Sequence, residues 1–366
     1  MGASVTLFLS SATLQFHQKN WPISTYSWIA TSSQITTIIG SFALSITAVY
    51  ITNRYIMASL YLFMIIFTAL LFIFQDVPLM WIVYGGIRGF IFSHCYHILR
   101  IWLLEKSSKE NYAKFNILSY LGLCIGNLIG PFTISKWGIG NTTLLLLLVS
   151  YLLCILVLVS TKLTVSKSPV KVFNPIKAID YFKRLPQLWI ICFVLGVTEV
   201  TYEFIGMFGL GLGFNETQSL LLINVLLSGA ICLGYLLASI MDKFRDGYKF
   251  VKWTTLIVII ILISIIAIPA PYLMLVIAFF IIGGISSLLA ESGNVLMTRF
   301  YDKDERNNGF ILVNLFTMFG QITCTQTMGL TMSISTTLGF IGTSVAFMLV
   351  AFLASTSARA KLSKYS

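Results

Sequence analysis

Charge is what this chain has least of. Asp, Glu, Lys and Arg together make up 10% of its 366 residues, against 57% apolar residues. A soluble domain carries about 25% charged residues, so this composition cannot cover a water-facing surface. The six cysteines, Cys95, Cys124, Cys154, Cys192, Cys232 and Cys324, lie far apart inside apolar runs. That spacing fits neither a disulfide framework nor a ladder of metal ligands. His94 and His97 stand three apart with no evident third ligand, so no metal site is expected. There is no Walker A sequence, no H-E-x-x-H and no G-x-S-x-G, which excludes the common enzyme constellations and bound nucleotide as an energy source. Neither an enzyme nor a cofactor is expected. The opening MGASVTLFLSSATLQF lacks the basic n-region of a secretory signal.

What the chain has is apolar runs. Twelve are legible, at about 1–16, 26–52, 56–75, 78–104, 114–135, 141–161, 187–211, 217–241, 251–271, 272–297, 307–330 and 334–355. Most can cross a hydrocarbon core of about 30 Å at 1.5 Å per residue. The first reaches only about 24 Å, which implies a trimmed start or a short first helix. Barrel strands would alternate and be half as long, so these runs are helices. The expected fold class is an all-α polytopic membrane protein with twelve transmembrane helices in two six-helix halves. Residues 1–161 form the first half, 162–186 a linker, 187–356 the second half and 357–366 a tail. The linker carries Pro169, Pro175 and Pro186, and its NPIKAIDYFKRL reads as a short surface helix or a plain tether.

The net charge is +11. In a soluble protein this would suggest nucleic acid, but the basic residues crowd into alternate short loops. The linker alone holds Lys162, Lys167, Lys171, Lys177, Lys183 and Arg184, whereas the opposite loops offer Lys19 and Lys136. The positive-inside rule then places both termini in the cytoplasm. The expected setting is the cytoplasmic (inner) membrane, with the lipid bilayer and not nucleic acid as partner, and the chain a monomer.

Ionisable residues inside spans are costly and mark functional sites by default. Arg88 lies within the fourth span and Arg100 near its inner end, Glu199 and Glu203 in the seventh, and Glu291 in the tenth. Glu199 and Glu203 are four apart and share a helical face. Like charge and desolvation hinder their joint ionisation, which suits a proton carrier or a cation site; a permanent pair with Arg88 is the structural alternative. Arg88 suits either an anionic group or that counter-ion role. Ser287, Glu291, Asn294 and Thr298 form a polar stripe, and the eleventh span has another at Asn314, Thr317, Gln321 and Thr325. Gln34, Thr37, Ser41 and Ser45 form one in the second span. Such stripes must turn inward. Those of the second and eleventh spans read as interhelical glue, and that of Glu291 as cavity lining. Trp21, Trp28, Trp81, Trp137, Trp189 and Trp253 lie near span ends, as interfacial anchors do. Tyr84, Tyr96 and Tyr202 sit on the charged spans and could stack on a substrate. Gly209, Gly211 and Gly213 read as a flexible helix end.

The halves echo each other. Asn53-Arg54 and Asp242-Lys243 follow the second span of each half, and both fourth spans lead into short loops of mixed charge. Here the chain resembles the major facilitator superfamily over essentially its whole length. The superfamily's Gly-x-x-x-Asp-Arg/Lys-x-Gly-Arg loop is partly kept as Asp242, Lys243 and Arg245, with Ala238 at the glycine position. In the first half only Arg54 remains, with Val49 and Asn53 at the Gly and Asp positions. Gly85-Gly86-Ile87-Arg88-Gly89 resembles the superfamily's fourth-span arginine motif. Gly122, Gly126 and Gly130-Pro131 are similar to the fifth span of exporters, although Phe132-Thr133 stand where Gly-Gly is expected. The look is closest to the YcaD-like branch related to drug–proton antiporters. The resemblance implies secondary transport of a small molecule by two rocking halves, and export driven by protons. Arg88, Glu199, Glu203, Glu291 and Asn294 would bind or couple, and Arg54, Asp242, Lys243 and Arg245 would form a cytoplasmic gate. An importer or uniporter of a metabolite, or a receptor that moves nothing, are the alternatives.

Overall fold

In lipid every backbone N–H and C=O must find its partner within the same segment, and the apolar runs meet that demand as helices. The computed structural model describes residues 2–47, 54–106, 121–126, 128–130, 132–134, 136–160, 183–241, 247–267, 271–300 and 303–362. There is no β-strand among the described residues. The helices are α1 (Gly2–Gln18), α2 (Ile23–Thr47), α3 (Arg54–Ile73), α4 (Pro78–Lys106), α5 (Ile139–Ser160), α6 (Pro186–Leu195) and α7 (Val197–Gly211). They continue with α8 (Glu216–Met241), α9 (Gly247–Ala267), α10 (Tyr272–Phe300), α11 (Lys303–Ile334) and α12 (Thr336–Leu362). A further apolar helical stretch covers Leu121–Ile134. The chain divides into two compact units, Met1–Val172 and Phe173–Ser366. In the second, five stretches among the described residues are long and apolar enough to cross a membrane. One of these, Pro186–Gly211, is α6 and α7 together.

The first helix of each unit ends in the same way. After α1 the chain turns through Asn20 at φ 54°, and after α7 through Gly213 at φ 84°. Each left-handed residue lets the next amide reach back into the helix. Trp21 N–H donates to the Phe16 carbonyl at 2.9 Å, and Phe214 N–H to the Gly209 carbonyl at 3.2 Å. This is a Schellman-type close, which favours Gly or Asn at the turning position. Of the three glycines that end the seventh span, only Gly213 has a positive φ. A side chain at Gly209 would meet Ser219, and one at Gly211 would meet Thr336, so these two admit close neighbours.

The tightest packing in each unit is backbone against backbone. In the first, α2 lies on α4. A Cβ at Gly89 would strike the Ser33 carbonyl, and one at Gly85 would approach the Ile29 carbonyl at 2.8 Å. Hydroxyls stitch the same seam. Ser32 Oγ donates to the Ile82 carbonyl at 2.8 Å, Thr36 Oγ1 to Gly86 at 2.6 Å and Thr37 Oγ1 to Gly89 at 3.2 Å. At Thr37 the polar stripe of the second span is glue, as its spacing suggested. In the second unit α8 lies on α10 in the same manner. Side chains at Gly229 and Gly283 would strike the carbonyls of Phe280 and Leu226. One sequence offset relates Asn20 to Gly213, Phe16 to Gly209, Ser33 to Leu226 and Thr36 to Gly229 (213 − 20 = 209 − 16 = 226 − 33 = 229 − 36). The repeat expected from the loops is thus also present in helix ends and packing seams.

The tryptophans divide. Trp28, Trp137 and Trp253 are about half exposed, as interfacial anchors are, but Trp81 and Trp189 are each 1% exposed and belong to the core. Trp81 Nε1 donates to the Gln75 carbonyl at 2.8 Å. Near it, Gln15 Nε2 donates to the same carbonyl at 3.1 Å, and Lys19 pairs with Asp76 at 2.8 Å. The ion pair is exposed and contributes little, whereas Trp81 buries a large ring.

Gly283→Val is expected to push α8 from α10 and lower the thermal midpoint of the purified protein, since overpacking costs about 1–3 kcal/mol or more. Gly342→Ala, where an added methyl meets nothing within 4 Å, leaves the midpoint unchanged.

Candidate functional site

Arg88 and Glu199, two of the ionisable residues inside the spans, are held by specific neighbours. In the first unit, α4 turns Trp81, Tyr84 and Arg88 towards α1 at helical spacing, and Phe8 of α1 meets all three. Its ring centroid lies 5.8 Å from Trp81 and 4.9 Å from Tyr84, and the Arg88 guanidinium carbon stands 4.7 Å above it. Arg88 is 7% exposed and its Nη2 reaches the Ser33 hydroxyl at 3.4 Å. The aromatic face accepts the cation, and the glycines beside it bring α2 close enough to supply Ser33. The Gly-Gly-Ile-Arg-Gly motif therefore does two jobs, close packing through its glycines and placement of one buried charge.

Tyr84 does not serve as a free stacking platform. It is 1% exposed, and its hydroxyl lies 3.0 Å from Thr68 Oγ1 and 3.1 Å from the Tyr151 hydroxyl. This buried hydroxyl chain joins α3, α4 and α5.

In the second unit the acidic pair is built around a break. α6 and α7 meet at Gly196, where Gly196 N–H donates to Phe193 at 3.2 Å and Glu199 N–H to Gly196 at 3.3 Å. These i→i+3 bonds tighten the helix locally. Gly196 presses against α11, where a Cβ would stand 2.5 Å from the Gln321 nitrogen and 2.7 Å from the Thr317 carbonyl. A Cβ on Gly320 would strike the Phe193 carbonyl. With no side chain on either glycine, the two backbones come close enough for Gln321 Nε2 to donate to Glu199 Oε2 at 2.5 Å. Glu203 follows one turn on. Glu199 of the seventh span thus looks at α11. The eleventh-span stripe, read as glue, supplies in Gln321 the donor that orients a carboxylate.

Glu199 is exposed, yet 72% of its apolar span is buried. It lies about 20 Å from Pro186 along the helix at 1.5 Å per residue, near the middle of the span. Ionisable side chains at that depth characteristically face a bundle interior or a watery cavity.

Arg88 lies in the first unit, and Glu199 and Glu203 in the second. Glu291 and Asn294 fall on α10, and Arg54 opens α3. Asp242, Lys243 and Arg245 of the expected gate lie outside the described residues, as does most of the linker.

One residue escaped the sequence reading. Asn224 of α8 is 6% exposed, and neither its amide nitrogen nor its amide oxygen has a hydrogen-bond partner among the described residues. The signal was present, a lone amide in the run LLLINVLLSGA, but a census restricted to charges passes over it. An unsatisfied buried amide costs about 1–3 kcal/mol, and such costs collect where a ligand or water is to be met.

Long apolar helices with a buried arginine in one unit and a mid-span carboxylate in the other fit a membrane transport protein. The Major Facilitator Superfamily profile matches residues 1–325, and the chain belongs to that superfamily of transporters. Among solved structures, a point mutant of the nucleoside transporter NupG superposes with a TM-score of 0.76 over 98% of both chains, at 13% identity. A bacterial homolog of the human lysosomal transporter Spinster, inward-facing and occupied, gives a TM-score of 0.68 at 12% identity, covering 98% of this chain and 94% of that one. A D-xylose-proton symporter gives 0.67 at 13%, over 97% and 96% of the two chains. At these identities the likeness concerns the fold. No curated protein matches the chain.

Gln321→Leu removes the donor to Glu199 and is expected to lower flux by about 10- to 100-fold, the equivalent of a hydrogen bond to a charged group of about 1.5–3 kcal/mol. Asn224→Leu is expected to raise the thermal midpoint in a melt while slowing flux. A lowered midpoint would mean that the amide is satisfied in the resting protein.

Proposed function

We propose that the chain is a secondary active transporter that moves a small molecule by alternating access, with Glu199 and Glu203 carrying the coupling proton. The observation that carries this reading is the 2.5 Å hydrogen bond from Gln321 to the Glu199 carboxylate at mid-span. Gln321 is a fixed donor that favours the charged form, and a proton arriving from water competes with that bond. Glu203, a turn away on the same face, offers a second position for the proton. Arg88, Glu291 and Asn294 complete the proposed substrate set, and Asn224 joins it as an amide ready for a polar ligand. Arg54, Asp242, Lys243 and Arg245 form the proposed cytoplasmic gate. Residues 1–161 and 187–356 are the proposed rocking halves, with 162–186 between them and 357–366 as a tail. Both termini face the cytoplasm of the inner membrane by the loop charges, and the chain works as a monomer.

Export coupled to proton entry is the direction favoured by the resemblance to the YcaD-like, drug-exporter-related branch. Import is a second reading, supported by the D-xylose-proton symporter and the nucleoside transporter among the similar folds.

Energised everted vesicles with a pH-sensitive dye test both. A panel of organic cations, nucleosides and sugars is expected to yield a compound that releases protons from the vesicle lumen in wild type. That response is lost in Glu199→Gln and falls at least about tenfold in Glu203→Gln. Proton movement in the opposite sense would indicate symport. Equal responses in wild type and both variants would remove the carboxylates from coupling.

A further inference from the structure

An apolar groove of about 410 Å³ opens on the second unit between α6, α11 and α12. Trp189, Ile190, Phe193, Phe316, Phe347 and Val350 line it. Trp189 and Phe316 form its floor with ring centroids 5.4 Å apart, and Ile190 and Val350 stand exposed at its rim. The volume suits a drug-sized molecule, but the lining presents almost nothing polar for one to bond. A hydrocarbon chain needs no such group.

The charges nearby say what is attached to that chain. Lys183 and Arg184 are exposed and immediately precede α6, from which the non-helical Leu185 separates them. Trp189 stands three residues into α6, about 4.5 Å along it from Pro186. One headgroup layer is roughly 5–7.5 Å deep. Lys252 stands over the Phe352 ring at 5.6 Å, two residues beyond Val350 on α12. The cationic level and the mouth of the groove therefore lie at the same end of these helices. Among the described side chains of this unit, the charged ones at that end are Lys183, Arg184, Lys249 and Lys252; Glu216 lies at the opposite end of α7–α8. Basic pockets between transmembrane helices recognise anionic headgroups.

We propose that this groove is a binding site for an anionic phospholipid, with one acyl chain lying along Trp189, Phe193 and Phe347 and the phosphate at Lys183 and Arg184. The site is separate from the Glu199–Gln321 pair and does not depend on the transported substrate. A lipid held there braces α6 against α11 and α12 close to Gly196, where the seventh span breaks.

The test uses the full chain in nanodiscs of phosphatidylglycerol or phosphatidylcholine with identical acyl chains, read by native mass spectrometry for retained lipid and by thermal melting. Wild type is expected to retain phosphatidylglycerol preferentially and to melt higher in it. The double variant Lys183→Gln/Arg184→Gln is expected to weaken retention roughly 30-fold, about fivefold per basic side chain. Val350→Trp, which fills the groove and leaves the basic pair intact, is expected to lower retention as well. Circular dichroism and monodisperse elution establish that both variants fold. Equal retention of the two lipids by wild type overturns the proposal without any variant. So does wild-type retention by a folded Val350→Trp, which would mean surface attraction alone, or elution as a dimer without bound lipid, which would mean that a second chain covers the groove.

Discussion

Everything ordered in this protein hangs on helices that touch backbone to backbone. Water does not drive helices together inside lipid, so association rests on close packing and hydrogen bonds across the seam. Gly85 and Gly89 let α4 settle on α2, and Gly229 and Gly283 do the same for α8 and α10. Gly196 and Gly320 extend the device to the pair that carries the acidic site. Without those contacts Ser33 would not reach Arg88, nor Gln321 reach Glu199. The functional geometry is a by-product of where side chains are missing.

The two units solve the same packing problem with the same devices, placed differently. At the seam of the first, Thr36 donates a hydroxyl hydrogen bond to the Gly86 carbonyl. At the matching position of the second, Gly229 faces the carbonyl of Phe280 with no side chain at all. Both seams combine glycine contact with hydroxyl hydrogen bonds, the second through Tyr272, which donates to the Gln218 carbonyl at 2.9 Å. The polar content differs. Arg88 in the first unit rests on a ring and a hydroxyl, whereas the second carries its carboxylates on a helix broken and tightened at Gly196.

Much of this was legible in the sequence because lipid imposes simple rules. Apolar run length gave the helices, and the cost of charge in hydrocarbon picked out Arg88, Glu199 and Glu203. Those rules are silent on contacts between distant residues. Tyr84 looked available for stacking until Thr68 and Tyr151 occupied its hydroxyl. Trp81 sat near a span end, as an anchor would, yet the loop at Gln75 folds back to receive its N–H. Gln321 belonged to a stripe whose periodicity fits glue and cavity equally, and only the Gly196–Gly320 contact decides between them. Asn224 was missed because uncharged amides are common in transmembrane helices, and burial without a partner is not a property of one sequence position.

The central claim is that Glu199 faces a water-filled space that opens to each side of the membrane in turn. Its direct measurement is thiol accessibility. Cysteine replaces Glu199 in a chain whose six native cysteines have been changed to serine or alanine, and a membrane-impermeant maleimide is applied to right-side-out and everted vesicles. Labelling from both sides is expected, with transported substrate changing the ratio of the two rates. Labelling from one side only, at a rate indifferent to substrate, would contradict alternating access at this residue.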